Sequence, residues 1–140
     1  MSAPTPKARD TAPAIPPEQT SALLKVSNIN VYYGGIHAVK NLSLEVHPGE
    51  LTTLIGANGA GKSTTLKAIC GMQPPAHGTI FFDGLDVTVI PPHELVRRGL
   101  VLCPEGRRIF PDLTVDENLD LGAYTRHDRR AVKEDLEQMR

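Results

Sequence analysis

At 140 residues the chain has the length of one domain, and with 40% apolar and 22% charged residues it can bury a real core. Its 15 basic and 16 acidic residues leave a net charge of -1, which argues against a nucleic-acid-binding surface and against a polybasic membrane tether. No run approaches the ~18 consecutive apolar residues of a membrane span, no apolar leader opens the chain, and two separated cysteines, Cys70 and Cys103, read as buried thiols of a cytoplasmic protein and not as a disulfide framework.

In chain order, residues 1–22 are rich in Pro, Ala, Ser and Thr and are expected to form a disordered tail, with the folded part running over 23–140. Leu24 and Val26 share one alternation phase and Ile29, Val31 and Tyr33 another, so the first strand should carry a bulge near Ser27 and Asn28. Gly34 and Gly35 turn the chain, and Leu42, Leu44 and Val46 alternate with polar residues as a half-buried strand. Residues 51–55 form a short apolar run suited to a strand covered on both faces. A glycine-rich loop follows, then a helix over 62–70 with Leu66, Ile69 and Cys70 on its buried side and Gly71 as its stop.

Further on, residues 79–82 read as a strand ended by Asp83 and Gly84. A proline-started helix spans 91–98, and residues 100–103 form a second continuous apolar strand. Thr114 with Glu117 three residues on is a capping box for a helix over 115–124. The last helix, over 127–140, places Val132, Leu136 and Met139 on one face and meets no stop signal.

The chemistry lies in the loop. Gly56, Gly61, Lys62 and Ser63 satisfy the pattern G-x-x-x-x-G-K-[ST] in the order strand, loop, helix. Glycines permit positive φ and close approach of backbone to a phosphate. Successive N–H groups form an anion nest that opens onto a helix N-terminus. Lys62 can reach the outer phosphates, Ser63 can ligate Mg²⁺, and Thr64 adds a hydroxyl near the first phosphate. The five histidines, His37, His47, His77, His93 and His127, show no metal-binding spacing and read as structural or surface residues.

The run Val31-Tyr32-Tyr33-Gly34-Gly35, the stretch around Leu42 to Pro48-Gly49-Glu50, and the loop Gly56-Ala57-Asn58-Gly59-Ala60-Gly61-Lys62-Ser63-Thr64 together resemble the N-terminal half of an ABC-transporter ATP-binding subunit. Pro91-Pro92-His93-Glu94-Leu95, Pro104-Glu105-Gly106-Arg107-Arg108-Ile109-Phe110-Pro111 and Leu113-Thr114-Val115-Asp116-Glu117-Asn118-Leu119 are similar to the branched-chain amino-acid importers, with urea and short-amide importers as close relatives. The resemblance implies an α/β fold: a P-loop NTPase core, an N-terminal antiparallel β subdomain and the start of a helical subdomain. It implies ATP and Mg²⁺ as ligands and a second ATP-binding subunit as partner. It further implies integral membrane permease subunits, an indirect periplasmic solute-binding protein, and a place on the inner face of the plasma membrane.

By the same resemblance Tyr33 stacks on adenine, with Tyr32 the competitor for that role; from the residues alone, an aromatic at a strand end mostly just packs. Glu105 falls where most of the family carries a glutamine that touches Mg²⁺ and senses the outermost phosphate. A carboxylate can ligate Mg²⁺, while a solvated loop carboxylate is the plainer account. Arg107 and Arg108 lie in the region that faces the membrane subunit in the family, or are a solvated pair. Asp83 ends an apolar strand as a Walker B aspartate does, but Gly84 beside it marks a turn. No Leu-Ser-Gly-Gly-Gln-like segment, Asp-Glu after an apolar run, switch histidine or GTPase Asn-Lys-x-Asp motif is found in these residues. The expectation is a truncated subunit that binds nucleotide, with a non-hydrolysing nucleotide- or partner-binding fragment as the alternative and with apolar edges exposed at 51–55 and 100–103.

Overall fold

The computed structural model describes residues 22–106 and 108–139. They form two units, the first ending at Val89 and the second beginning at Ile90. The expected tail lies outside the described residues except for Ala22, which is buried.

The first unit contains strands β1 (Leu24–Tyr33) and β2 (Ile36–Val46), helix α1 (Lys62–Ile69), and strands β3 (His77–Phe82) and β4 (Leu85–Asp86). The strands form one antiparallel sheet in the order β2-β1-β3-β4, and α1 packs on β1 and β2. Val26, Ile29, Val31, Val39, Ile80 and Val87 supply the buried apolar side chains of the sheet, and Ala68 and Ile69 those of the helix.

The break in alternation along β1 is a bulge. Val26 pairs Leu44 and Ile29 pairs Leu42, so β1 carries one residue more than β2. It carries one more than β3 as well, where Ser27 faces Thr79 and Asn30 faces His77. Asn28 takes the left-handed conformation at φ 49 that this requires, as asparagine does more readily than most residues. Its N–H, lost to the ladder, donates to Ser43 Oγ at 2.8 Å. Opposite, β2 bulges in turn at Asn41, φ 46. Gly78 on β3 sits directly against the first bulge: a Cβ there would lie 2.5 Å from the Ser27 and Asn28 carbonyl oxygens.

Between the two bulges lies a buried amide, Asn30. Its Nδ2 donates to Asn28 O at 3.1 Å and to Asn41 Oδ1 at 2.9 Å. Its Oδ1 accepts from Asn41 N at 3.2 Å and meets His37 Nε2 at 2.8 Å. All four hydrogen-bonding positions of the amide are used, which is what makes its burial tolerable.

Asp83 (φ 48) and Gly84 (φ 74) form the two-residue loop between β3 and β4, as expected for Asp-Gly in a primed hairpin turn. Asp83 is therefore a turn residue. Past β4, the Thr88 hydroxyl accepts from Ile80 N at 2.9 Å, so a side chain extends the edge pairing after the strand has ended.

Helix α1 ends at Gly71 (φ 71): Gly71 N donates to Ala68 O and Met72 N to Lys67 O, a Schellman closure. Its buried stripe is Thr65, Ala68 and Ile69. Leu66, expected on that stripe, is exposed, because the helix is turned so that Thr65 faces in and its Oγ1 donates to Gly61 O at 2.9 Å.

Two expected strands are absent from the described residues. Residues 51–55 and 100–103 have no ladder partner, and Leu51 and Ile55 are each 93% exposed. An apolar parallel strand is stable only between neighbouring strands and covering layers, and no strand of the first unit's sheet pairs with 51–55. Cys103 is consequently exposed and not a buried thiol, whereas burial raises the Cys70 thiol above its ordinary pKa.

The second unit holds α2 (Pro92–Arg97), α3 (Val115–Gly122) and α4 (Arg129–Met139). The capping box forms: Glu117 N donates to Thr114 Oγ1 at 3.3 Å and Thr114 N donates to Glu117 Oε2 at 2.8 Å. On α4, Val132 and Leu136 are half-buried, but Met139, expected on the same face, is 69% exposed at the last helical position.

Two outcomes are expected. Gly78→Ala should lower stability by about 2–3 kcal/mol, since its new methyl meets two backbone oxygens, whereas Gly35→Ala, which meets open space, should change the denaturant midpoint little. Hydrogen bonds from Thr114 hold the Glu117 carboxyl below its ordinary pKa of 4.5. Its stabilisation of α3 is thus fully present above that value and lost as pH falls through the lower folded value. The protection factor of the Thr114 amide should drop across that window and stay flat in Glu117→Gln.

Candidate functional site

The glycine-rich loop enters from the unpaired segment 51–55 and is fixed at its far end by α1. Gly59 (φ 84) and Gly61 (φ 88) take the left-handed conformation, and Ala60 N donates to Ala57 O to close a turn. Gly61 is the N-cap of α1 and supplies no side-chain cap. The first turn of a helix carries N–H groups beyond the reach of its own carbonyls, and here that turn follows directly on the loop. No acidic residue lies in that turn, so nothing opposes the positive end of the helix dipole.

Gly61 has a second reason to be glycine. A Cβ on it would lie 2.6 Å from Ala38 O and 3.2 Å from Val39 Cγ2. The junction of loop and helix thus rests on the backbone of β2, and the missing side chain permits the contact. Lys62 folds back across the loop, its Nζ donating to Gly56 O at 2.6 Å and Ala57 O at 2.8 Å. Two of its three ammonium hydrogens are used in shaping the loop, and the positive charge is held at the loop's mouth. Ser63 is exposed and Thr64 half-buried on the first turn of α1. Asn58 and Ala60 are exposed in the loop. The residues present fit a phosphate chain: a glycine-rich loop, a helix N-terminus and an ammonium lie together in the chain with no carboxylate among the loop residues.

Tyr33 lies at the end of β1, 40% exposed. Val31 pairs Val39 across β1 and β2, and Val39 is the side chain that Gly61 approaches. Tyr33 is two residues beyond Val31 and so shares its face, about 7 Å further along the strand. Tyr32 points to the other face, where its ring stacks on His37 with centroids 4.2 Å apart and planes 14° apart. Alternation therefore separates the two tyrosines and puts Tyr33 on the loop's side of the hairpin.

Glu105 belongs to the second unit, exposed on a bend next to Gly106 (φ 78). Its carbonyl accepts from Arg108 Nε at 3.3 Å. Arg107 lies outside the described residues. Arg108 borders an apolar groove of about 520 Å³ lined by Ile109, Phe110, Leu113, Val115 and Leu121. Asn118 of α3 secures that stretch: its Nδ2 shares two hydrogens among the carbonyls of Phe110, Leu113 and Thr114, and its Oδ1 accepts from Phe110 N. Among the described residues no group of three or more His, Cys, Asp or Glu is placed to hold a metal. The sequence reading took His37 as a structural or surface residue and Asn118 as part of the run 113–119, and missed Thr65; the hydrogen bonds and stacking of all three leave no periodic trace.

A family model described as ABC transporter matches residues 39–140. The chain is 44% identical over 102 residues to the high-affinity branched-chain amino acid transport ATP-binding protein BraG of Pseudomonas aeruginosa, covering 73% of this chain and 44% of that protein. It is 33% identical over 115 residues to the probable branched-chain amino acid transport ATP-binding protein LivF of Archaeoglobus fulgidus, covering 82% and 48%. The putrescine transport ATP-binding protein PotG of Escherichia coli is 37% identical over 100 residues, covering 71% and 26%. Among solved structures, an ATP-binding cassette of an ABC transporter superposes with a TM-score of 0.67 at 35% identity, covering 74% of this chain and 41% of that one. A dimeric post-hydrolysis cassette bound to ADP and Pi superposes with a TM-score of 0.66 at 26% identity, covering 81% and 54%. The chain spans less than half the length of the branched-chain relatives it matches.

The two left-handed glycines should respond differently to substitution. Both acquire backbone strain as alanine, on the order of tenfold in affinity, but only Gly61→Ala also drives a methyl into a carbonyl of β2. Titration with inorganic tripolyphosphate should show about a tenfold loss for Gly59→Ala and a loss of at least about a hundredfold for Gly61→Ala.

Proposed function

The chain belongs to the ABC transporter family, and from that membership we propose that it is the ATP-binding part of a transport ATPase subunit that energises import of branched-chain amino acids. The observation that carries the reading is the succession, within one loop, of left-handed Gly59 and Gly61, an N-terminus of α1 without a side-chain cap, and a Lys62 ammonium folded onto the Gly56 and Ala57 carbonyls. Gly56, Ala57, Asn58, Gly59, Ala60 and Gly61 would wrap the phosphates with backbone N–H groups. Lys62 would exchange a loop carbonyl for a phosphate oxygen. Thr64 would lie beside the innermost phosphate. Ser63 would offer its hydroxyl to Mg²⁺, an ion that is commonly held by one or two protein oxygens together with substrate phosphates. Bound there, the ion supplies charge neutralisation.

Tyr33 would give the adenine ring an aromatic face, its position on the loop's side of the hairpin supporting this role over Tyr32, whose ring is already stacked. Glu105 would act as the sensor of Mg²⁺ and the outermost phosphate. We place hydrolysis, which needs a positioned water and neutralised charge, in an assembly with a second ATP-binding subunit. That assembly docks on integral membrane permease subunits at the inner face of the plasma membrane and is served indirectly by a periplasmic solute-binding protein. No described helix is long and apolar enough to cross a membrane. The branched-chain substrate class rests on the likeness of 91–119 to those importers and on the names of two relatives. Urea or a short amide is the alternative solute.

Calorimetric titration tests the site. Lys62→Ala should weaken Mg-ATP binding by about 10–100-fold, the worth of a charge-assisted hydrogen bond; unchanged affinity in a folded sample would refute the phosphate role. Tyr33→Ala should weaken ATP but leave pyrophosphate binding as it was, and an equal loss for both ligands would remove the stacking role.

A further inference from the structure

The tip of the β1–β2 hairpin is held by three side chains that the phosphate loop does not use. Asn30 and Tyr32 are two residues apart on β1 and so share a face, and His37 is the Cα partner of Tyr32 on β2. Asn30 Nδ2 spends both hydrogens on Asn28 O and Asn41 Oδ1. The oxygen of the amide is therefore the atom facing His37, and His37 Nε2 carries the proton and donates to it. The same imidazole lies flat against the Tyr32 ring. A buried amide thus fixes an imidazole, and the imidazole fixes the side chain immediately before Tyr33.

The backbone of the tip is also tied from outside the hairpin, by Gln73 Nε2 donating to Tyr32 O at 3.1 Å, a bond that leaves the direction of the side chains to His37. Tyr33 pairs Ile36 across Gly34 and Gly35, Gly34 is left-handed at φ 55, and Ile36 is 71% exposed. A two-glycine turn leaves the strand ends free to twist. A twist of β1 at residue 32 swings Tyr33 off the loop's face, since neighbouring residues of a strand project oppositely.

We infer that His37, bonded to Asn30 and stacked on Tyr32, is a positioning residue that holds Tyr33 toward the phosphate loop and thereby sets the affinity for the base. The inference rests on the base-stacking role proposed for Tyr33. The base contributes through a correctly held ring, so loosening the clamp weakens nucleotide binding and leaves phosphate binding intact. Both interactions of the imidazole are needed: the hydrogen bond sets where the ring stands, and the stack transmits it to Tyr32.

The test is the ratio of affinities for Mg-ATP and Mg-tripolyphosphate in the full chain. His37→Ala should lower ATP affinity about three- to tenfold, part of the worth of one base stack, with tripolyphosphate unchanged. His37→Phe keeps a ring without the donor, and His37→Gln keeps a donor without the ring; each should recover only part of the loss. Amide exchange at residues 34–36 should quicken in His37→Ala. A ratio shifted by Tyr33→Ala but not by His37→Ala overturns the inference alone, as does an equal loss for both ligands in His37→Ala. A ratio that Tyr33→Ala does not move overturns the base platform and the inference with it. Failure of the wild-type chain to bind either ligand overturns the phosphate site first.

Discussion

The contact on which the site depends is the one made by an atom that is not there. Gly61 lacks a Cβ, and the backbone carbonyl of Ala38 lies 2.6 Å from where that atom would be. Because of this, the N-terminus of α1 sits down on β2. The helix is turned with Thr65 inward, its hydroxyl bonded to Gly61 O, and its first turn follows directly on the loop. The entry side of the loop has no such support, since 51–55 is unpaired and exposed. Lys62 substitutes for it by tying the Gly56 and Ala57 carbonyls to the helix. The loop is therefore shaped from the helix end backward, and the cation proposed to meet phosphate also holds the curve of the loop.

Much of this was legible in the amino acids, and what was legible was local. Glycine spacing, lysine and hydroxyl announce the loop, because each residue type acts on the backbone within a few positions. The bulge at Asn28 could be read from a break in alternation, the stop at Gly71 from a glycine after a helical stripe, the capping box from Thr114 and Glu117. What failed was pairing. An apolar run such as 51–55 or 100–103 states that a strand is favourable, not that a partner is at hand. The rotation of α1, which exposes Leu66, is set by a steric contact with β2 that no helical period encodes. The Asn30 amide is satisfied by residues 2, 7 and 11 positions away, brought together only because both strands bulge.

The candidate site shows the same division. Alternation says that Tyr32 and Tyr33 face opposite ways, but it cannot say which way the phosphate loop lies. That is decided by the chain of contacts from Val31 to Val39 to Gly61. Glu105 differs in kind. Its backbone is held by Arg108 and it sits in the second unit, so its proposed role draws on the resemblance of 104–111 and not on geometry shared with the loop. The groove beside it is shaped by Asn118, whose amide gathers three carbonyls and one N–H of a turn that contains a proline. Sequence reading took Asn118 only as part of a familiar run.

Two sets of ties follow from this architecture, and on the proposed reading they divide the recognition of a nucleotide between them. The loop lock, Gly61 on Ala38 and Lys62 on Gly56 and Ala57, governs where phosphates are held. The hairpin lock, Asn30 through His37 to Tyr32, governs where an aromatic face is held. They share no side chain, so a change in one should add to a change in the other without coupling, as separate sites do. A ligand that is all phosphate engages the first alone. On the proposed reading a nucleoside triphosphate engages both, and its preference over free polyphosphate would lie in how firmly His37 holds a hairpin whose turn is two glycines.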